Sequence, residues 1–77
     1  MLLFSVYDRV AQTYTLPQGF NNKAVASRWF EGLMKETKLR PSDFDLVCVG
    51  SFGSEDGVLI ALAKPEYLCN GGDFVNG

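Results

Sequence analysis

The chain has 77 residues, 47% of them hydrophobic, and a formal net charge of −2. That length excludes more than one domain and leaves a marginal core, because a chain this short buries only about 60% of its unfolded surface. No histidine is present, which removes the commonest general base and the commonest zinc ligand, and the longest apolar run, Val58 to Ala63, falls far short of the ~20 residues of a membrane helix.

Leu2 to Asp8 alternates and is rich in aromatic and β-branched residues, so it reads as a strand. Thr13 to Leu16 reads as a second strand that Pro17 ends or confines to an edge. Together they form an expected hairpin. Asn21-Asn22 offers an N-cap, and from Lys23 to about Glu36 the period becomes helical. Val25, Ala26, Trp29, Phe30, Leu33 and Met34 fall on one arc, and Ser27, Arg28, Glu31 and Lys35 on the other. Trp29, in the middle of the apolar arc, is the expected core anchor against Phe4, Val6 and Leu46. Lys38 and Arg40 lie in the loop that follows, and Pro41 prevents the helix from resuming.

Phe44 to Phe52 carries Phe44, Leu46 and Cys48 on one face and Val47 and Val49 on the other, the pattern of a central strand. Asp43 and Asp45, at its start, read as turn formers or solvated ends. Gly53 to Gly57 is a five-residue hairpin loop, and Val58 to Ala63 is the returning strand, which Lys64-Pro65 breaks. Glu66 to Cys69 is expected to form a helical turn, after which residues 71–77 make a Gly-rich flexible tail beyond a single domain of residues 1–70. The fold class is therefore α+β: a four-stranded antiparallel sheet (β-β-α-β-β) with one amphipathic helix on one face.

Little in the chain points to catalysis. Cys48 and Cys69 are too far apart, with no other soft ligand, to suggest a metal, and they read as reduced thiols of a cytosolic protein. The Gly- and Ser-rich segment Gly50 to Ser54 leads into a hairpin, not a helix N-terminus, so it is no phosphate loop. No enzyme and no cofactor are expected. The opening Met1-Leu2-Leu3-Phe4 has no basic region before it and soon meets Asp8, so no signal peptide is expected either. What remains is binding. Residues 1–40 carry a net charge of +3 and residues 41–77 a net charge of −5, so one face can be basic although the whole is acidic. Lys23, Arg28, Lys35, Lys38 and Arg40 are the candidate contacts to phosphates or to an acidic protein. Tyr7, Tyr14, Phe20, Tyr67 and Phe74 are the aromatics left to stack on bases.

The order of short motifs resembles a known family. Phe4-Ser5-Val6-Tyr7-Asp8 is followed by Tyr14, then Pro17 and Phe20, then Asn22-Lys23-Ala24 with Arg28 and Phe30. Pro41-Ser42-Asp43-Phe44-Asp45-Leu46 leads to Gly50-Ser51-Phe52, and Pro65-Glu66-Tyr67-Leu68 follows the last strand. This series is similar to the small non-structural protein of microviruses, single-stranded DNA phages, and especially of their gokushovirus branch. The chain departs from that pattern at Ser51 and Gly53, where the family usually has acidic residues, and in the Gly-rich Cys69-Asn70-Gly71-Gly72. The resemblance implies a non-structural protein that docks on the phage replication complex late in infection. There it directs the switch to single-stranded DNA synthesis and packaging into procapsids. The implied partners are the phage replication initiator or host replication proteins, the procapsid and single-stranded DNA, with no membrane, in the host bacterial cytoplasm. Direct binding of single-stranded DNA and binding of a host protein are the alternatives.

One helix covers one face of a sheet. The second face, expected to carry Leu3, Ser5, Tyr7, Val47 and Val49, is too apolar for a stable monomer. A homodimer through that face, or through an edge strand, is the expected remedy, unless the segment Tyr67 to Val75 caps it.

Overall fold

Apolar residues on alternate positions make β1 (Leu2–Asp8) the strand on which the sheet is laid out. The structure, a computed structural model, describes residues 1–75. β1 pairs antiparallel with β4 (Phe44–Phe52), placing Phe4 opposite Cys48 and Val6 opposite Leu46. β4 pairs antiparallel in turn with β5 (Leu59–Asn70). On its other side β1 meets β2 (Thr13–Tyr14) and then β3 (Gln18–Phe20). The sheet has five strands, in the order β2-β1-β4-β5 with β3 also on β1. Helix α1 (Lys23–Glu36) lies on one face. The α+β class, the antiparallel sheet and the single helix agree with the sequence reading.

The fifth strand arises where one strand was expected. After Tyr14, the Thr15 hydroxyl takes the place of a strand partner: it accepts from the Val6 N–H at 2.9 Å, and Thr15 N–H donates to Val6 O at 3.0 Å. Ser5 Oγ donates to Thr15 O at 2.7 Å. Pro17 has no N–H to continue the ladder, and pairing resumes at Gln18. A single edge strand is thereby split into β2 and β3.

Asn22 caps α1, its side-chain oxygen accepting from Val25 N–H at 2.9 Å. The helix turns the row Ala26, Phe30, Met34 onto the sheet, where Phe30 and Ala26 are fully buried against Phe4, Val6, Leu46 and Cys48. The other half of the apolar arc lies at the flank. Trp29 is half-buried beside Phe20, ring centroids 5.1 Å apart, and Leu33 is exposed. The central anchor is thus Phe30, not the expected Trp29. A 3.6-residue period aligns two neighbouring rows, and only one of them can stand over the sheet.

The last third of the chain departs most from expectation. β5 does not stop at Lys64-Pro65 but runs on to Asn70. Proline is tolerated because β5 is an edge strand, and because the register jumps between the pairs Cys48↔Glu66 and Gly50↔Ala61. Leu62 to Pro65 lie in that bulge. Glu66 to Cys69 are therefore strand, not a helical turn. The helical turn comes next, at Gly71–Phe74, a 3-10 turn where a flexible tail was expected. Phe74 packs edge-to-face on Phe30 with centroids 6.0 Å apart. Residues 76–77 of the expected tail lie outside the described residues.

Candidate binding surface

Two of the five cations expected as contacts, Lys23 and Lys35, are engaged by carboxylates. Lys23, at the start of α1, reaches across to Glu66 of β5 at 3.1 Å, and Lys35 pairs with Glu31 at 2.7 Å one helical turn away. Arg28, Lys38 and Arg40 are exposed and make no ion pair among the described residues. The polar helix arc and the loop after it thus present three uncommitted positive charges.

The face of the sheet away from α1 is better organised than expected. Ser5 and Val47, expected to need a second copy to cover them, are buried within the single chain at 1% and 6% exposure. Tyr7 stands opposite Tyr14 on one side and Asp45 on the other, and Val47 lies between Ser5 and Tyr67. Residues directly opposite in an antiparallel ladder share a face, so three tyrosines stand on this one. The Tyr7 and Tyr14 rings are 4.5 Å apart. Tyr14 and Tyr67 are about half exposed. Of the other two aromatics considered for stacking, Phe20 and Phe74 are partly buried against the core. The segment Gly71–Phe74 packs beside α1 and the 3-10 turn Pro41–Asp43, so it does not cap the tyrosine face.

Arg9 and Asp45, which the sequence reading passed over as a pair, are the polar centre of this face. Arg9 Nε and Nη2 each donate to an Asp45 carboxylate oxygen at 2.9 Å, a two-pronged contact. Asn70 Nδ2 donates to Asp45 Oδ1 at 2.9 Å. Asp45 is buried, not a solvated strand end. Burial by itself would push its carboxyl up, but the hydrogen bonds from Arg9 and Asn70 and the Arg9 charge outweigh that and hold it below the usual carboxylate range. Arg9, bonded to Asp45 and facing its charge, is held more firmly protonated still. The signal for such a pair in a sequence is faint, since the partners are 36 residues apart.

The sign of the Asp45 shift fixes a pH dependence. A carboxylate whose folded pKa is lowered contributes stability that is complete above its unfolded value, about 3.9, and that is lost as pH falls through the folded pKa. Asp45→Asn is expected to start from a lower melting temperature at neutral pH and to lose less of it on acidification below about pH 4. Thermal melts followed by circular dichroism across that range check this, and parallel acid limbs for the two proteins would refute it.

Among the described residues no three His, Cys, Asp or Glu side chains are grouped to hold a metal ion, and no helix is long and apolar enough to cross a membrane. Cys48 and Cys69 are free thiols. Burial first, and then the Asp73 carboxylate, push the Cys69 thiol up, away from the reactive thiolate form. An open apolar groove of about 570 Å³ runs between α1 and the β2–β3 connection, walled by Trp29, Leu33, Met34 and Phe44.

These features define a small single-helix α+β sheet protein with an aromatic open face. The chain matches the family described as Phage ORF5 protein over residues 1–74, and it belongs to that phage protein family. No curated protein and no solved structure gives a significant match.

Proposed function

We propose that this protein is the small non-structural protein of a microvirus of the gokushovirus type. It docks on the replication complex and directs the switch from duplex replication to single-stranded DNA synthesis and packaging into procapsids. It acts in the host bacterial cytoplasm by competition and docking, not as an enzyme and without a cofactor. The observation that carries this reading is membership of the phage family over residues 1–74, joined to the ordered motifs that resemble the microvirus protein. Arg28, Lys38 and Arg40, exposed and unpaired among the described residues, are the charges most available to an acidic surface of the phage replication initiator, a host replication protein or the procapsid. Lys23 and Lys35 contribute less, because each already faces a carboxylate.

A second reading, direct binding of single-stranded DNA, is favoured by the open face with Tyr7, Tyr14 and Tyr67 beside Arg9. Bases stack on exposed aromatics flanked by cations. The Arg9–Asp45 pair weakens it, since the one arginine of that face is already matched by a carboxylate.

Recovery of the tagged protein from infected cells, with and without nuclease, separates the two. Docking predicts that replication proteins co-purify after nuclease treatment and are lost from Arg28→Glu/Arg40→Glu protein of unchanged melting temperature. DNA coating predicts nuclease-sensitive recovery, with oligonucleotide affinity reduced by about 1–3 kcal/mol in Tyr67→Ala. If nuclease-treated complexes contain no replication protein, the docking reading fails.

A further inference from the structure

The distal half of the β4–β5 hairpin projects beyond the helix. Every residue from Ser54 to Tyr67 is exposed, although β5 is hydrogen-bonded along one side. Val58, Leu59, Ile60 and Leu62 are exposed by 50, 67, 59 and 43%. Leu59 pairs with Phe52 and Ile60 with Ser51, so successive apolar side chains leave both faces of the arm. Its outer edge carries unpaired main-chain groups.

We infer that this arm is the docking surface for a second copy of the chain, which lies antiparallel to it about a two-fold axis near Ile60.

Three observations select that occupant. The first is area. A compact chain of 8.5 kDa exposes about 4,650 Å², whereas this one exposes 5282 Å². The excess, about 630 Å², approaches the roughly 800 Å² per partner that a standard interface removes. The radius of gyration, 12.7 Å against about 11.5 Å for a chain of this length, reflects the same extension. The second is charge. The uncharged run Val58–Ala63 is preceded by Glu55 and Asp56 and followed by Lys64, none of them in an ion pair among the described residues. Laid antiparallel on itself, the run brings the acidic end of one copy to the basic end of the other, twice. A parallel arrangement would set like charges together. The third is closure. The opposite edge of the sheet is built from strands of two and three residues interrupted by Pro17, a blunted edge. An isologous contact uses the one long open edge in both copies and leaves none to propagate. Pro65 and the bulge at Leu62–Pro65 confine it to the distal arm.

This contact takes the edge-strand alternative over the second sheet face, where Ser5 and Val47 are already buried within the chain. It does not depend on the replication role.

Sedimentation equilibrium at micromolar concentration is expected to give twice the 8.5 kDa chain mass. Amide exchange at Leu59 to Ala63 should slow as concentration rises. Ile60→Lys should weaken the dimer about 100-fold without changing the far-ultraviolet circular dichroism. Leu59→Lys tests the opposite face of the arm in case that variant misfolds. Lys64→Glu should weaken association, and adding Asp56→Lys, at the position that faces residue 64 across an axis at Ile60, should restore it. A single species of 8.5 kDa at every concentration overturns the inference and leaves the arm to a different protein. So does a dimer indifferent to both lysine substitutions, which would lie on the tyrosine face instead.

Discussion

Replacing Phe30 by alanine is expected to remove about 3–5 kcal/mol of stability. Phe30 is fully buried and touches both halves of the core: Phe4, Val6 and Leu46 in the sheet, and Phe74 in the C-terminal turn. Alanine leaves a cavity between helix and sheet that the edge-to-face partner cannot fill. A chain of 77 residues has about 4–12 kcal/mol in all, so the loss takes from about a quarter of that stability to all of it. Trp29→Ala, at a half-buried position beside Phe20, should cost only about 1–2 kcal/mol. Urea titrations of both variants at one protein concentration decide the order. If Trp29→Ala proves the more damaging, the helix is rotated from the position described.

Gly71→Ala is expected to be nearly as disruptive for the C-terminal turn. An added Cβ would sit 2.3 Å from the Pro41 carbonyl oxygen and 2.4 Å from the Met34 sulfur. Met34 can move, but the Pro41 backbone is held in its own 3-10 turn. Overpacking of this kind costs about 1–3 kcal/mol, and it would push Gly71–Phe74 off the helix. Gly32→Ala is the control. It is exposed in mid-helix, its Cβ would meet nothing within 4 Å, and it should stabilise by about 0.5–1 kcal/mol. Equal melting temperatures for the two variants would show that the turn is not packed as described.

The strands and helix that sequence made plain are those whose pattern is enforced by the core. β1 at Leu2–Asp8, α1 at Lys23–Glu36 and β4 at Phe44–Phe52 fall where periodicity placed them. β5 was cut short because Pro65 reads as a break, and only tertiary context, an edge position with a bulge, makes it harmless. The ordered turn at Gly71–Phe74 was hidden because its stability is not local. Asn70 Oδ1 accepts from Gly72 N–H at 2.8 Å, and Asp73 Oδ2 accepts from Asn70 N–H at 3.1 Å. The Asn70 amide also donates to the Ser42 and Phe44 carbonyls at 2.9 and 3.1 Å. Asn70-Gly71-Gly72 viewed alone is a loose segment, and the carbonyls it binds, before and at the start of β4, are more than 25 residues away. The candidate surface was legible as composition but not as place. Sequence names the cations and tyrosines as types, while ion pairs with Glu31 and Glu66 and the Arg9–Asp45 contact, which only the fold brings together, determine which charges stay unpaired among the described residues.

Because β1 lies between β2–β3 and β4, with Leu2 facing Ser51 and Asp8 facing Phe44, the order in which the molecule can assemble is constrained. The β1–β2 turn and α1 are local and can form as soon as their residues exist. Phe4 and Val6 have no partner strand for their inner side until β4 has been made, and β4 is half-covered until β5 returns along it. Closing so long a stretch of chain before any core contact rewards it makes the search slow for a domain this small. During that interval the apolar row of β1 is exposed beside an amphipathic helix with nothing to cover, the condition under which a nascent chain is most prone to associate wrongly. For this fold, the interval before β4 docks on β1 is therefore the exposed step of assembly.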